Sequence, residues 1–178
     1  MDLRIKRTRQ NIQHAFLELR KQKPLEKISV KELSELAFIN KATFYTHYHD
    51  IFDLADQMEN EFFERIFEEV PYLEYVLDKP SIAVTELTKV LVREQKLADI
   101  IFSGSRAGYY SQKLNITLRK ILDNKYPEKT NDLQWNVILT ILIQGCYHAV
   151  QTYSKSYSLE EVTEIIGKVN DTLCEQFL

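Results

Sequence analysis

Residues 28–54 read "ISVKELSELAFINKATFYTHYHDIFDL", and the fold depends on how this stretch divides. Ser29, followed three residues later by Glu32, has the form of a capping box. The Ser29 hydroxyl accepts from the Glu32 amide, and the Glu32 carboxylate reaches back to the Ser29 amide. A short helix is therefore expected from Val30, burying Val30, Leu33, Leu36 and Ala37. Phe38-Ile39-Asn40 then forms a link, and Asn40 suits the cap of a second short helix over 41–48. Asp50 can cap a longer helix from Ile51, where its charge also suits the helix dipole. Within 41–48, Phe44 and Tyr48 lie one turn apart and point into a small core. At about 100° per residue, Ala42, Thr43, Thr46 and His47 fall on the opposite face, with Lys41 and Tyr45 at its margins. Such a face is small, polar and nearly uncharged. It can enter a major groove, where its hydroxyl, methyl and imidazole groups meet base edges. Lys41 and Tyr45 are placed to touch phosphates, contacts that set register rather than read sequence.

Working outward, Ile12, Ala15, Phe16 and Leu19 recur at helical steps and predict a helix over 3–21, ended ahead of Pro24. Downstream, Pro71 and Pro80 bracket a connection. Helical periodicity then covers about 81–102 with a break near Gln95, about 108–125, about 131–153 and about 159–176. With four glycines, four prolines and no sustained alternation, the 178 residues read as all-α. The domain boundary is expected between a 1–50 head and a 51–178 body.

Hydrophobic residues make up 44% of the chain and charged residues 28%, an ordinary globular balance. No apolar run approaches the roughly 18 residues of a membrane span. The first twenty residues lack the pattern of a secretory signal. Cys146 and Cys174 are expected as reduced thiols, and the location as cytoplasmic, with no membrane partner. The net charge of −3 is uneven: residues 1–51 carry ten Lys/Arg and six Asp/Glu, and the rest carries 13 and 20. A basic head before an acidic body suggests that only the head meets a polyanion.

The histidines invite a metal reading, which the geometry opposes. His47 and His49 are two residues apart and point about 200° from each other on a helix. No HExxH or CxxC spacing accompanies them. No nucleophile with a base and an orienting partner is evident. No metal, cofactor or catalytic residue is therefore expected.

The 28–54 stretch resembles the DNA-binding domain of TetR-family transcriptional regulators, and the likeness extends over about residues 3–54. It implies a three-helix helix-turn-helix head and a body of roughly six helices that dimerises and binds an effector. Carried over residue by residue, it implies DNA contact by Lys31 at the start of the second helix. On the third helix it implies contact by Lys41, Ala42, Thr43, Tyr45 and His47. The implied partners are a double-stranded, palindromic DNA operator, a second copy in a homodimer, and an effector. From about Ala98 onward the chain distantly resembles a short-bodied subgroup that includes regulators controlled by a partner protein. The effector is thus a small molecule or a protein, and repression is the expected sign of control. The chain departs from the family pattern at Phe38, where glycine is usual, and at Ile51, where lysine is common. Those departures motivate a rival reading as a helical ligand- or protein-binding adaptor.

Two stripes run along the last helices. Trp135, Ile138, Leu142, Cys146 and Ala149 lie on one, and Val162, Ile166 and Val169 on the other. The resemblance implies that they form the dimer interface; the alternative is that they close the chain's own core. Gln144, Tyr147 and His148, with Tyr109 and Tyr110 from the preceding helix, could line an effector pocket. They could equally face solvent.

Overall fold

A computed structural model describes residues 3–71 and 77–178, so most of the connection expected between Pro71 and Pro80 lies outside the described residues. Among the described residues the protein is all-helical. The α-helices are α1 (Leu3–Arg20), α2 (Val30–Leu36), α3 (Lys41–Tyr45), α4 (Ile51–Glu69), α5 (Pro80–Arg93), α6 (Gln95–Ile101), α7 (Tyr109–Lys125), α8 (Leu133–Tyr153) and α9 (Leu159–Phe177). No helix among them is long and apolar enough to cross a membrane.

The chain forms two compact units, Met1–Phe62 with Gln95–Tyr110, and Phe63–Glu94 with Ser111–Leu178. This division differs from a boundary at 50/51, and buried polar bonds explain why. Arg20, at the end of α1, is buried and donates to the Ser103 carbonyl at 2.9 Å. Arg106 grips the carboxylate of Glu59 on α4, Nε and Nη2 each at 2.6 Å, and also bonds Asp56. Glu59 is 0% exposed and Arg106 7%, so segment 95–110 is tied into the first unit by a desolvated ion pair. No sequence spacing announces a partnership across 47 residues.

In the first unit, α1 contributes Ile12, Ala15, Phe16 and Leu19 to one core with Leu33, Phe44, Tyr48, Ile51 and Leu54. The α2 N-terminus follows the expected cap only in part. The Glu32 amide donates to Ser29 Oγ at 3.2 Å, but the Glu32 carboxylate accepts from Lys23 Nζ at 2.6 and 2.7 Å and makes no reciprocal bond. A full lysine charge outcompetes a backbone amide for that carboxylate. Leu36, expected inside, is 44% exposed, and Ser34 is buried instead. The end of α2 accounts for this. Phe38 N–H donates to the Glu35 carbonyl and Ile39 N–H to the Ser34 carbonyl, a Schellman closure with Phe38 at φ 56°. Glycine normally fills that position, because a left-handed backbone costs other residues about 1–2 kcal/mol.

In the second unit, α9 packs against both α5 and α8. A Cβ built on Gly167 would lie 2.8 Å from the Ser81 Cβ, so this glycine sets the approach of α9 to α5. The first turn of α5 has no side-chain cap of its own. Ser81 N–H donates instead to Asp171 on α9 at 2.9 Å. The break expected near Gln95 falls at Glu94, between α5 and α6, and the Glu94 carboxylate accepts from Arg65 at 3.0 Å. Ser158 and Glu161 cap α9 reciprocally.

Candidate nucleic-acid interface

Asn40 precedes α3 in extended conformation, and its Oδ1 accepts from the Thr43 amide at 2.7 Å. The cap therefore forms as expected. The helix is shorter than the predicted 41–48, ending at Tyr45. Thr46 N–H is shared between the carbonyls of Ala42 and Thr43, and His47 N–H bonds Phe44 O at 2.9 Å, which tightens the last turn. The Thr46 hydroxyl also donates to the Thr43 carbonyl at 2.7 Å, a local bond that competes with continuation of the helix.

Phe44 and Tyr48 are buried, 0% and 2% exposed, with ring centroids 5.7 Å apart, and hold this segment to the core. Burial pushes the Tyr48 phenol above its ordinary range. Lys41, Ala42, Tyr45 and Thr46 are exposed, and Thr43 and His47 are half-buried. Tyr45 meets the edge of Phe44 at 5.5 Å, so its ring lies along the margin of the core. Lys31 is exposed in the first turn of α2. Lys31 on α2, Lys41, Ala42, Thr43 and Tyr45 on α3, and His47 just past the end of α3 therefore all reach the surface of one compact unit.

The segment is held from behind. Arg9 on α1 bonds Glu61 and Gln57 on α4, and Gln13 donates to Glu61 at 2.7 Å. Asp50 accepts from the Asp53 amide at 2.8 Å and so caps α4. Asp53 in turn accepts from the His49 amide at 2.8 Å. Hydrogen bonds from Gln57 and from that amide hold the Asp53 carboxyl below its usual range. His49 is thus anchored through its backbone. Ile51 is 5% exposed, so the opening of α4 turns an apolar side chain inward where the resembled family carries lysine. Among the described residues no group of three His, Cys, Asp or Glu side chains could hold a metal ion.

The other expected sites are distributed differently. Tyr110 is buried in an aromatic cluster with Phe102 at 5.0 Å and Phe62 at 6.4 Å. Tyr109 is exposed and lies under the Arg106 guanidinium at 4.0 Å. Gln144, Tyr147 and His148 belong to the other unit; Gln144 and Tyr147 are half-buried, His148 is exposed, and burial raises the Tyr147 phenol.

Of the residues expected at a dimer interface, Trp135, Ile138, Leu142, Val162 and Ile166 are buried within the second unit. In the single chain they pack inside that unit. Cys146 and Ala149 are half-buried, and Val169 is exposed. The Asn170 amide donates to Cys146 Sγ at 3.1 Å, and burial lifts the Cys174 thiol to about 11. Exposed aliphatic residues include Leu133, Val137 and Ile141 on α8, and Ile165 and Val169 on α9. Leu133, Val137 and Ile141 fall at helical steps of three and four from Gln144 and His148. Periodicity in the sequence marks one stripe of α8, through Trp135, Ile138 and Leu142, and the exposed run Leu133, Val137 and Ile141 is a second one.

No protein-family model, curated protein or solved structure matches the chain.

Proposed function

We propose that this protein is a dimeric, TetR-like transcriptional regulator, a repressor that binds a palindromic DNA operator. In this reading α1, α2 and α3 are a helix-turn-helix head, and α3 enters the major groove. The observation that carries it is the division of segment 41–48, α3 and the turn after it, by direction. Phe44 and Tyr48 are buried, while Lys41, Ala42, Tyr45 and Thr46 are exposed and Thr43 and His47 half-exposed. Lys31 and Lys41 contact phosphates; Ala42, Thr43 and His47 meet base edges, and Tyr45 lies at the rim. The basic balance of the first 51 residues supports a polyanionic partner.

Dimerisation is part of the proposal, since one short recognition helix makes few contacts and two place half-sites about 34 Å apart. The outward face of α8 and α9 is its support. None of the 21 residues of α8 is Asp, Glu, Lys or Arg, yet Leu133, Val137 and Ile141 are exposed in the single chain. Gly145 is exposed too, with nothing within 4 Å of a built Cβ, so no neighbour in its own chain calls for a glycine. A second copy packed on this face would use both features. An effector, small molecule or protein, then shifts the population between dimers that can and cannot bind the operator.

Selection of duplexes from a random-sequence pool by the full chain tests the proposal. The expected result is a palindromic sequence bound with steep salt dependence and resistance to unrelated competitor DNA. A pool that emerges unenriched would sink it. One observation favours a second reading, a helical ligand- or protein-binding adaptor: Ile51 is buried and offers no phosphate contact at the start of α4. That reading expects partner binding with no retained duplex.

A further inference from the structure

Phe38 combines two unfavourable features at one residue. Its backbone is left-handed, at the position of the α2 closure that glycine fills without strain. Its ring is 94% exposed, the most exposed of the large apolar side chains described. Glycine would relieve both, and nothing in the chain's own packing uses the ring. Strain and an exposed aromatic at one point direct attention outside the single chain.

The location narrows the partner. Three residues of chain, at most about 11 Å, separate Phe38 from Lys41. Lys31, Lys41 and Tyr45 are exposed on the two helices that this turn joins. Glu35, exposed on the last turn of α2, disfavours a phosphate at this corner. The uncharged part of a duplex backbone is the C–H edge of its sugars.

We propose that Phe38 is an apolar DNA contact, its ring packed on the deoxyribose edge of the duplex beside the groove that α3 enters. This rests on the DNA-binding reading and adds to it a contact that is neither ionic nor base-specific. Burial of much of one aromatic ring is then withdrawn from the complex by Phe38→Gly, while no counterion is involved.

The test uses the full chain and the duplex that the wild-type protein enriches from a random pool. Phe38→Gly is expected to bind that duplex about 5- to 10-fold more weakly. The loss should be equal on duplexes with altered bases, and the slope of log affinity against log salt should be unchanged. Phe38→Leu should recover most of the affinity. Lys41→Ala, run beside it, should reduce the salt slope by about one. The thermal midpoint of Phe38→Gly should rise, because the left-handed strain is gone. Binding by Phe38→Gly as tight as wild type would overturn the contact and leave the DNA reading standing. A lowered midpoint with the lost affinity would also overturn it, since the ring would then serve the fold. A wild-type protein that enriches no duplex would remove the DNA reading and this contact together.

Discussion

Asn40 shows how little polar chemistry is needed to shape the surface of α3. One carboxamide oxygen accepts from the Thr43 amide at 2.7 Å and from the Thr43 hydroxyl at 2.9 Å. The hydroxyl proton of Thr43 is thereby turned toward the cap, and the methyl and an oxygen lone pair remain for a partner. Under the proposed function, Thr43→Ala and His47→Ala should relax sequence preference, each by about 1–3 kcal/mol of discrimination. Lys41→Ala should weaken all duplexes alike. Parallel selections with each variant measure this, and the same loss on every sequence for all three would contradict the roles. These surface residues were legible because they follow helical arithmetic from a cap. Glu59 was not legible: it sits in an acidic run on α4, and its burial depends on Arg106 arriving from a remote turn. Arg106→Met leaves a carboxylate desolvated and uncompensated, and should lower unfolding free energy in urea by about 3–5 kcal/mol. The double variant Glu59→Leu with Arg106→Met should recover most of that. A single variant as stable as wild type would mean the pair is solvated in solution.

Helix starts were more readable than helix ends. Asn40 and Asp50 cap their helices as their chemistry suggests, and the amide bond to Ser29 forms too. Ends depend on competing local bonds, such as that of the Thr46 hydroxyl, and on tertiary packing. The start of α5 is the exception that explains the rule, because its capping oxygen comes from Asp171, 90 residues away. The α5–α9 contact also fixes the role of a glycine that sequence alone leaves ambiguous. Gly167→Ala should push Ser81 aside and destabilise the protein by about 1–3 kcal/mol, despite alanine's better helix propensity. Gly145→Ala, with open space around it, should leave the single chain as stable or more so. Thermal unfolding of the two variants side by side checks the contrast, and equal behaviour would refute it.

For the molecule as a whole, the decisive feature is which face of α8 remains uncovered. Trp135, Ile138 and Leu142 turn inward, and Leu133, Val137 and Ile141 turn outward. If a second copy covers that outer face, Ile141→Arg should produce a monomer by sedimentation equilibrium with unchanged helical circular dichroism. Affinity for a palindromic duplex should fall steeply, while affinity for a half-site should stay near that of one wild-type head. A variant that remains dimeric would move the interface elsewhere.

By itself, the sequence determined the helical class, the capped α2–α3 pair and the sidedness of α3. Those features follow from periodicity, caps and sparse glycine within a few residues of chain. Only the tertiary structure decided that segment 95–110 joins the first unit, that Asp171 caps α5 and that Phe38 holds a left-handed turn in water. It also decided which apolar stripe of α8 stays outside. The reason is common to the first two and to the α8 stripe. A helix apolar on more than one side, or a charged group without a local partner, is completed by whatever packs against it, and residues far along the chain supply that neighbour.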